Sequence, residues 1–382
     1  MDDDSFRLAH PARPPPDRAS ESPAYLSEQL ITYIGNKRSL LPLIGQAFDH
    51  VRTALGRDRI SIVDLFSGSG IVSRYARAFA SHVTANDLET YSCLTNRCYL
   101  SNRADVNLEL VARTIEQLHQ RALSEPVPGF ITELYAPRNE AHIQPGERVF
   151  YTRRNAIYLD TVRQLIDASD PALQPYLLAP LLWQASVHVN TSGVFKGFYK
   201  NGDGVGQFGG AGRNALSRIL RDIRLAPPIL SNIDCCCDVV RADANQLIHE
   251  LDPADLIYLD PPYNQHPYGS NYFMLNLLCD NQRPEALSPV SGIPTDWNRS
   301  VYNSRPQAQR ALFDLVADCR ARFVLLSYNS EGFISHRDFL TGLRSCGKVS
   351  VMDTAYNAFR GSRNLQNRDL HVTEYLYLVD KS

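Results

Sequence analysis

Apolar residues recur at helical spacing from Leu40 to Val51, which predicts a helix with Pro42 in its first turn, where a missing N–H does no harm. The pattern then shortens. Ile60 to Leu65 is a compact apolar run of strand length, broken by Ser67-Gly68-Ser69-Gly70, and Ile71 to Ala80 returns to helical spacing. His82 to Ala85 reads as a second strand, closed by Asn86-Asp87 and followed by another helix. Strand, helix and strand in this order predict a parallel, doubly wound α/β sheet.

Between about 109 and 233 the alternation stops. This stretch holds proline-rich joints, the run Phe150-Tyr151-Thr152-Arg153-Arg154 and a glycine-rich segment from Gly193 to Gly212. A structureless loop of that size is improbable inside a compact domain, so the stretch is expected to be an inserted domain with exposed loops. The strand pattern then resumes at Asp238–Arg241, Leu256–Leu259, Arg322–Ser327, Lys348–Asp353 and Glu374–Val379. Residues 1–23, with Asp2-Asp3-Asp4 and Pro14-Pro15-Pro16, read as a disordered tail. The expected division is therefore 1–23 tail, 24–108 and 236–382 two parts of one α/β domain, and 109–235 the insert.

Composition narrows the function. With 44% hydrophobic and 21% charged residues over 382 positions, the chain can bury a sizeable core. Lys and Arg number 39 against 41 acidic residues, a net charge of -2, so any polyanion must be met by a local basic patch. The eight cysteines form no CxxC pair, which argues against a zinc site, and Cys235-Cys236-Cys237 reads as buried thiols. With no signal peptide and no apolar run near 18 residues, a soluble cytoplasmic protein is expected.

Two loops carry candidate chemistry. Asp64-Leu65-Phe66-Ser67-Gly68-Ser69-Gly70 closes the first strand, and its glycines let the backbone turn tightly and approach a ligand. Ser73 stands where GxGxxG needs its last glycine, so a plain strand-to-helix turn also fits. Asp87, about 20 positions on, is placed to take both hydroxyls of a ribose, or to cap a helix. Asp260-Pro261-Pro262-Tyr263 follows the apolar strand Leu256–Leu259. It presents a carboxylate, a rigid carbonyl and an aromatic face at a strand tip. That set suits a planar ring bearing an exocyclic amino group, with Asp260 and the Pro261 carbonyl accepting the amino hydrogens and Tyr263 stacking. A β-turn with proline at its corner needs neither the Asp nor the Tyr.

Tyr33-Ile34-Gly35-Asn36-Lys37, Asp64 to Gly70, Asn86-Asp87 and Asp260 to Tyr263, in this order, resemble the D12-class adenine-N6 DNA methyltransferases, the Dam-like enzymes of the alpha motif order. The resemblance spans about 30–108 and 236–380. It implies a Rossmann-like methyltransferase sheet, with the insert standing where the target recognition domain belongs. It implies S-adenosyl-L-methionine as methyl donor, with no metal, and double-stranded DNA as partner. Tyr33 and Lys37 match cofactor-contacting positions, Lys37 near the methionine carboxylate. Asp64, Gly68 and Gly70 would lie under the methionine, Asp87 on the ribose, and Asp243 beside the adenine. Asp260 belongs both to catalysis and to the cofactor site. Ala244 departs from the aromatic that often follows that position, which leaves adenine stacking open.

Other residues point to DNA. Lys196, Lys200 and Arg213 interleave with Phe195, Phe198, Tyr199 and Phe208 on the glycine-rich segment, a mix that suits backbone and base contacts; a mobile hairpin carries the same residues. Arg360, Arg363 and Arg368 could meet phosphates or simply be solvated. Asn271-Tyr272-Phe273 opens an apolar helix that could shape the cofactor pocket or only pack. The expected protein is a bacterial, monomeric, site-specific methyltransferase of a restriction–modification pair with a cognate endonuclease. A cytosine-N4 or RNA adenine methyltransferase is the alternative enzyme, and a DNA-binding module without catalysis the alternative class. An NAD-linked enzyme would leave Asp260 to Tyr263 unexplained.

Overall fold

The computed structural model describes residues 21–357 and 371–382. Residues 1–20 of the expected tail lie outside these, as do Arg360, Arg363 and Arg368. The tail reading is too long at its end: Pro23 opens a short helix, Pro23–Ser27, whose Tyr25 is buried and donates its hydroxyl to the Tyr99 carbonyl. A proline suits that first helical position.

Seven strands form one sheet: β1 (Ile60–Asp64), β2 (Ala80–Asp87), β3 (Cys236–Arg241), β4 (Ala254–Leu259), β5 (Ala321–Asn329), β6 (Lys348–Asn357) and β7 (His371–Asp380), in the order β3-β2-β1-β4-β5-β7-β6. The fold is mixed α/β. Strands β1 to β5 pair in parallel, as the sequence pattern predicts. The expectation of an all-parallel sheet fails at one side, where β7 runs antiparallel to both β5 and β6. A strand–helix–strand repeat dictates parallel pairing, but no helical pattern separates β6 from β7, and β7 returns between its neighbours.

Strands β1, β4 and β5 in the middle of the sheet read as nearly unbroken apolar runs because both faces are covered. On one face Ile62, Leu256, Tyr258 and Leu325 pack against Ile44 and Phe48 of helix Leu41–Leu55. On the other, Val63, Ile257, Leu259 and Val324 pack against Leu312, Val316 and Phe339. Pro42 does sit in the first turn of the former helix, which Gly56 ends in the left-handed conformation at φ 62°. The next predicted helix is shorter than expected. It spans Ile71–Ala76, because Phe79 and Ala80 leave the helical path to pair with Ile60 at the start of β1. The cysteine triple is also corrected: β3 is an edge strand, so Cys235 is buried but Cys236 is exposed.

Helices Leu108–Ser124, Arg153–Asp167 and Gln174–His188 form a third apolar core. Helix Phe273–Asp280, directly downstream of the Asp260 loop, packs into the same core through Phe273, Met274 and Leu277. Among the described residues no helix is long and apolar enough to cross a membrane.

Candidate active site

Parallel pairing brings the carboxyl ends of β1, β2, β3 and β4 to one edge. Asp64 lies opposite both Ala85 and Tyr258, and Asp87 lies opposite Arg241, so Asp64, Asp87, Asp243 and Asp260 all reach one pocket. Gly68 forms its floor. Its φ is +51°, and a Cβ there would stand 3.0 Å from the Tyr33 ring, so glycine is what lets turn and ring approach. Gly70 has φ +78° and its Cβ would meet Asn96 Oδ1 at 2.4 Å; it caps helix Ile71–Ala76 and supports the turn instead of lining the pocket.

Asp64 is 1% exposed. Its Oδ2 accepts the Ser73 hydroxyl at 2.6 Å, so the serine in the missing-glycine position has a use; Oδ1 is buried without a hydrogen-bond partner. Burial pushes this carboxyl up to about 7, opposed by the Ser73 hydrogen bond and reinforced by the charges of Asp260 and Asp87. Asp87 is held by its own loop: Oδ2 accepts the Gly68 N–H at 2.7 Å and Oδ1 the Glu89 N–H at 2.9 Å.

Asp260 leaves β4 at the pocket edge, followed by buried Pro261 and half-buried Pro262 and Tyr263. Its Oδ1 lies 3.1 Å from Lys37 Nζ, and the same ammonium lies 2.8 Å from Glu374 Oε1 on β7. Burial works against the Lys37 charge, but Asp260 and Glu374 together hold it well above the usual lysine range. Burial pushes Asp260 up to about 6; Lys37 opposes that rise and Glu374 adds to it. Lys37 also lies 5.9 Å from the Tyr263 ring centroid. The motif of residues 33–37 thus meets the loop of residues 260–263 directly.

Three tyrosines build the wall beside Gly68. Tyr33 stacks on both Tyr268 and Tyr272, with centroids 5.0 and 4.7 Å away, those two rings lie 6.0 Å apart, and the Tyr272 hydroxyl accepts the Ile34 N–H at 2.7 Å. Tyr272 is therefore both core and pocket support. At the other end Asp243 caps helix Ala244–Leu247 through the Asn245 N–H while still lining the pocket. No aromatic directly follows Asp243 in the chain, but two stand near it. Phe66 and Tyr302 both line this end, edge to face at 5.3 Å, and the Tyr302 hydroxyl donates to Asn245 Oδ1.

Sequence reasoning also missed Glu89. It is 3% exposed, its Oε2 accepts from Asn276 and Asn298, and burial pushes it up to about 7. Its place two residues after Asp87 was the available signal. Tyr302 and Glu374 stand in no motif and had none.

Residues 33–290 match the family described as D12 class N6 adenine-specific DNA methyltransferase, about two thirds of the chain. The chain belongs to that family. The methyltransferase is 28% identical over 362 residues to the type II methyltransferase M.NlaIII of Neisseria lactamica, covering 92% of this chain and 100% of that protein. It is likewise 28% identical to the type II methyltransferase M.CviAII of Paramecium bursaria Chlorella virus 1, over 91% of this chain and 98% of that one. The modification methylase StsI of Streptococcus sanguinis is 26% identical over 91% of this chain and 52% of its own length. This chain is an adenine-N6 DNA methyltransferase.

In the methyltransferase the basic and aromatic residues of the insert divide. Phe195 is buried, and its N–H donates to the Asn271 carbonyl at 2.7 Å, tying the glycine-rich segment to the helices after the catalytic loop. Lys196 is exposed, and its charge adds to the effect of burial in depressing His266. Lys200 lies 5.2 Å over the Phe198 ring, and Arg213 is exposed further along. Buried Asn190 pins this segment: its amide donates to the carbonyls of Val149 and Gln207, and its Oδ1 accepts the Gly209 N–H. In the run at 150–154 the aromatics face inward, and Arg154 pairs with Asp222.

Proposed function

We propose that this methyltransferase takes S-adenosyl-L-methionine as donor and modifies one adenine of a specific double-stranded site, as the modification partner of a type II restriction endonuclease. The single observation that carries the site reading is the Lys37–Asp260 contact at the edge of the pocket floored by Gly68. The near full-length similarity to type II methyltransferases supports the biological role. We read 24–108 and 236–382 as the catalytic domain and 109–235 as the target recognition domain.

The pocket suits the donor. The orphaned Asp64 Oδ1 is an acceptor for an ammonium, and the Gly68 turn leaves room that a Cβ would fill. Tyr33 would wall the methionine end, Asp87 and Glu89 the ribose, and Asp243, Phe66 and Tyr302 the adenine. When bound, S-adenosylmethionine supplies an electrophilic methyl group on a positively charged sulfur.

The chain's own task is to prepare the target nitrogen. Adenine N6 is a poor nucleophile because its lone pair is delocalised into the ring. Asp260 and the Pro261 carbonyl would accept its two amino hydrogens, drawing the nitrogen toward tetrahedral geometry and freeing that pair. Positioning of this kind can supply about 7–11 kcal/mol of barrier reduction. A base inside the duplex is out of reach, so it must flip out, and stacking on Tyr263 would offset part of the lost base stacking. Asp260 must be ionised to accept both the ammonium and the amino group, so transfer should fall below about pH 6.

Sequencing of methylated DNA from cells expressing the chain tests the whole reading. N6-methyladenine at one recurrent sequence is expected, and none with Asp260→Ala. Methylation of cytosine, or undiminished methylation by that variant, would overturn it.

A further inference from the structure

Glu374 stands on β7, far along the chain from every motif, yet it reaches the catalytic loop. It is 2% exposed. Its Oε1 receives the Ser327 hydroxyl at 2.9 Å and Lys37 Nζ at 2.8 Å, and its Oε2 receives Asn329 Nδ2 at 3.2 Å. Ser327 and Asn329 lie on β5, and Asn329 pairs with Glu374 across the antiparallel ladder. The carboxylate is thus fixed by the sheet. The lysine it holds has a long, flexible stem and would otherwise sample many rotamers. Held at Glu374, the Lys37 ammonium reaches Asp260 Oδ1 at 3.1 Å.

We propose that Glu374 is a positioning residue of the methyl transfer, anchoring Lys37 so that Lys37 in turn fixes the Asp260 carboxylate for the adenine amino group. The proposal rests on the reading of Asp260 as that acceptor. The sheet edge, through Ser327 and Asn329, becomes the outer support of the catalytic loop, as outer-shell partners orient ligands in other sites. The charge balance follows. One buried cation serves two buried carboxylates, so the Glu374 charge opposes ionisation of Asp260 while its anchoring of Lys37 favours it. The other titratable groups facing Asp260 are Asp64 at the end of β1, Tyr258 on β4 and Tyr268 beyond the loop, with Tyr263 of the loop itself facing Lys37.

Two variants of the full chain test this, each assayed for kcat across pH with a DNA substrate and for cofactor affinity by titration. Glu374→Gln keeps an oxygen for Ser327 and Lys37 but removes the negative charge. Its acid limb should move to lower pH, with kcat at pH 8 close to wild type. Glu374→Ala removes the anchor, and kcat should fall by about 10- to 100-fold, the scale of a misplaced catalytic group, with a much smaller change in cofactor affinity. A wild-type kcat in Glu374→Ala, or an unmoved acid limb in Glu374→Gln, would overturn the proposal; if the alanine variant does not fold, the glutamine variant decides alone. Asp260→Ala is the control. Full activity in that variant would remove the reading of Asp260 itself, whereas an inactive control with an unmoved Glu374→Gln limb would remove only the role of Glu374.

Discussion

At the scale of single residues, the site holds carboxylic acids under conditions that folding alone does not favour. Asp64 is the clearest: buried, with one oxygen satisfied and one not, and with its folded value near 7 against about 3.9 for a free side chain. The folded chain therefore binds a proton at Asp64 that the unfolded chain has released between those values. Stability should decline as pH rises through that window and level off above it. Asp64→Asn should remove this dependence and raise the melting temperature of the cofactor-free protein at pH 8, by an amount that shrinks toward pH 5. The same variant should bind S-adenosylmethionine more weakly. Thermal unfolding at the two pH values with a cofactor titration checks it; an unchanged or lower melting temperature at pH 8 would mean that the unsatisfied oxygen carries no strain.

At the scale of elements, the strands of the sheet aim the loops that line the pocket. The segment after Asn190 is hydrogen-bonded to the scaffold at its base, while Lys196 and Arg213 stand exposed on it. Their work on DNA would be to release counterions from phosphates. Replacing Lys196, Lys200 and Arg213 by Gln should flatten the salt dependence of DNA binding by about 0.9 units of log–log slope per lost contact. Cofactor affinity should not change. Binding measured from low to moderate salt decides it, since an unaltered slope would return these residues to the role of a solvated loop. The short helix Ile71–Ala76 carries the opposite lesson. Its apolar spacing continues to Ala80, but the ladder with Ile60 claims those last residues, a long-range pairing that local spacing does not encode.

At the scale of the whole molecule, residues 109–235 and the helix downstream of the Asp260 loop share one core. Phe273 and Leu277 pack with the helices of residues 108–188, so the two parts of the chain are joined through that core. An exchange of the whole insert would replace most of that core. An exchange restricted to residues 191–215 that keeps Val194, Phe195 and Phe198 leaves it intact and should change the methylated sequence while adenine N6 remains the modified atom, because Asp260 and Tyr263 stay. Cofactor titration first establishes that the chimera folds, and sequencing of its methylated DNA then reads the site. Unaltered specificity in a folded chimera would take the reading function away from this segment.

By itself the amino-acid sequence determined the parallel strands β1 to β5 and the loops at their tips, because both signals are local. Strands covered on both faces, β1, β4 and β5, are apolar nearly throughout, the strand–helix alternation marks β2 and β3 beside them, and the turn after β1 needs a residue such as Gly68 with its positive φ. The motifs at 33–37, 64–70, 86–87 and 260–263 are read the same way, and their order was enough to recognise the family. Only the tertiary structure decided the antiparallel β7, the aromatic wall of Phe66 and Tyr302, and the placing of Glu374 against Lys37. These depend on contacts between residues far apart in the chain. A lone Glu in an alternating strand looks like any solvent-facing charge until the sheet closes over it. Burial then makes its partner obligatory, because an unpaired carboxylate inside the fold would cost several kcal/mol.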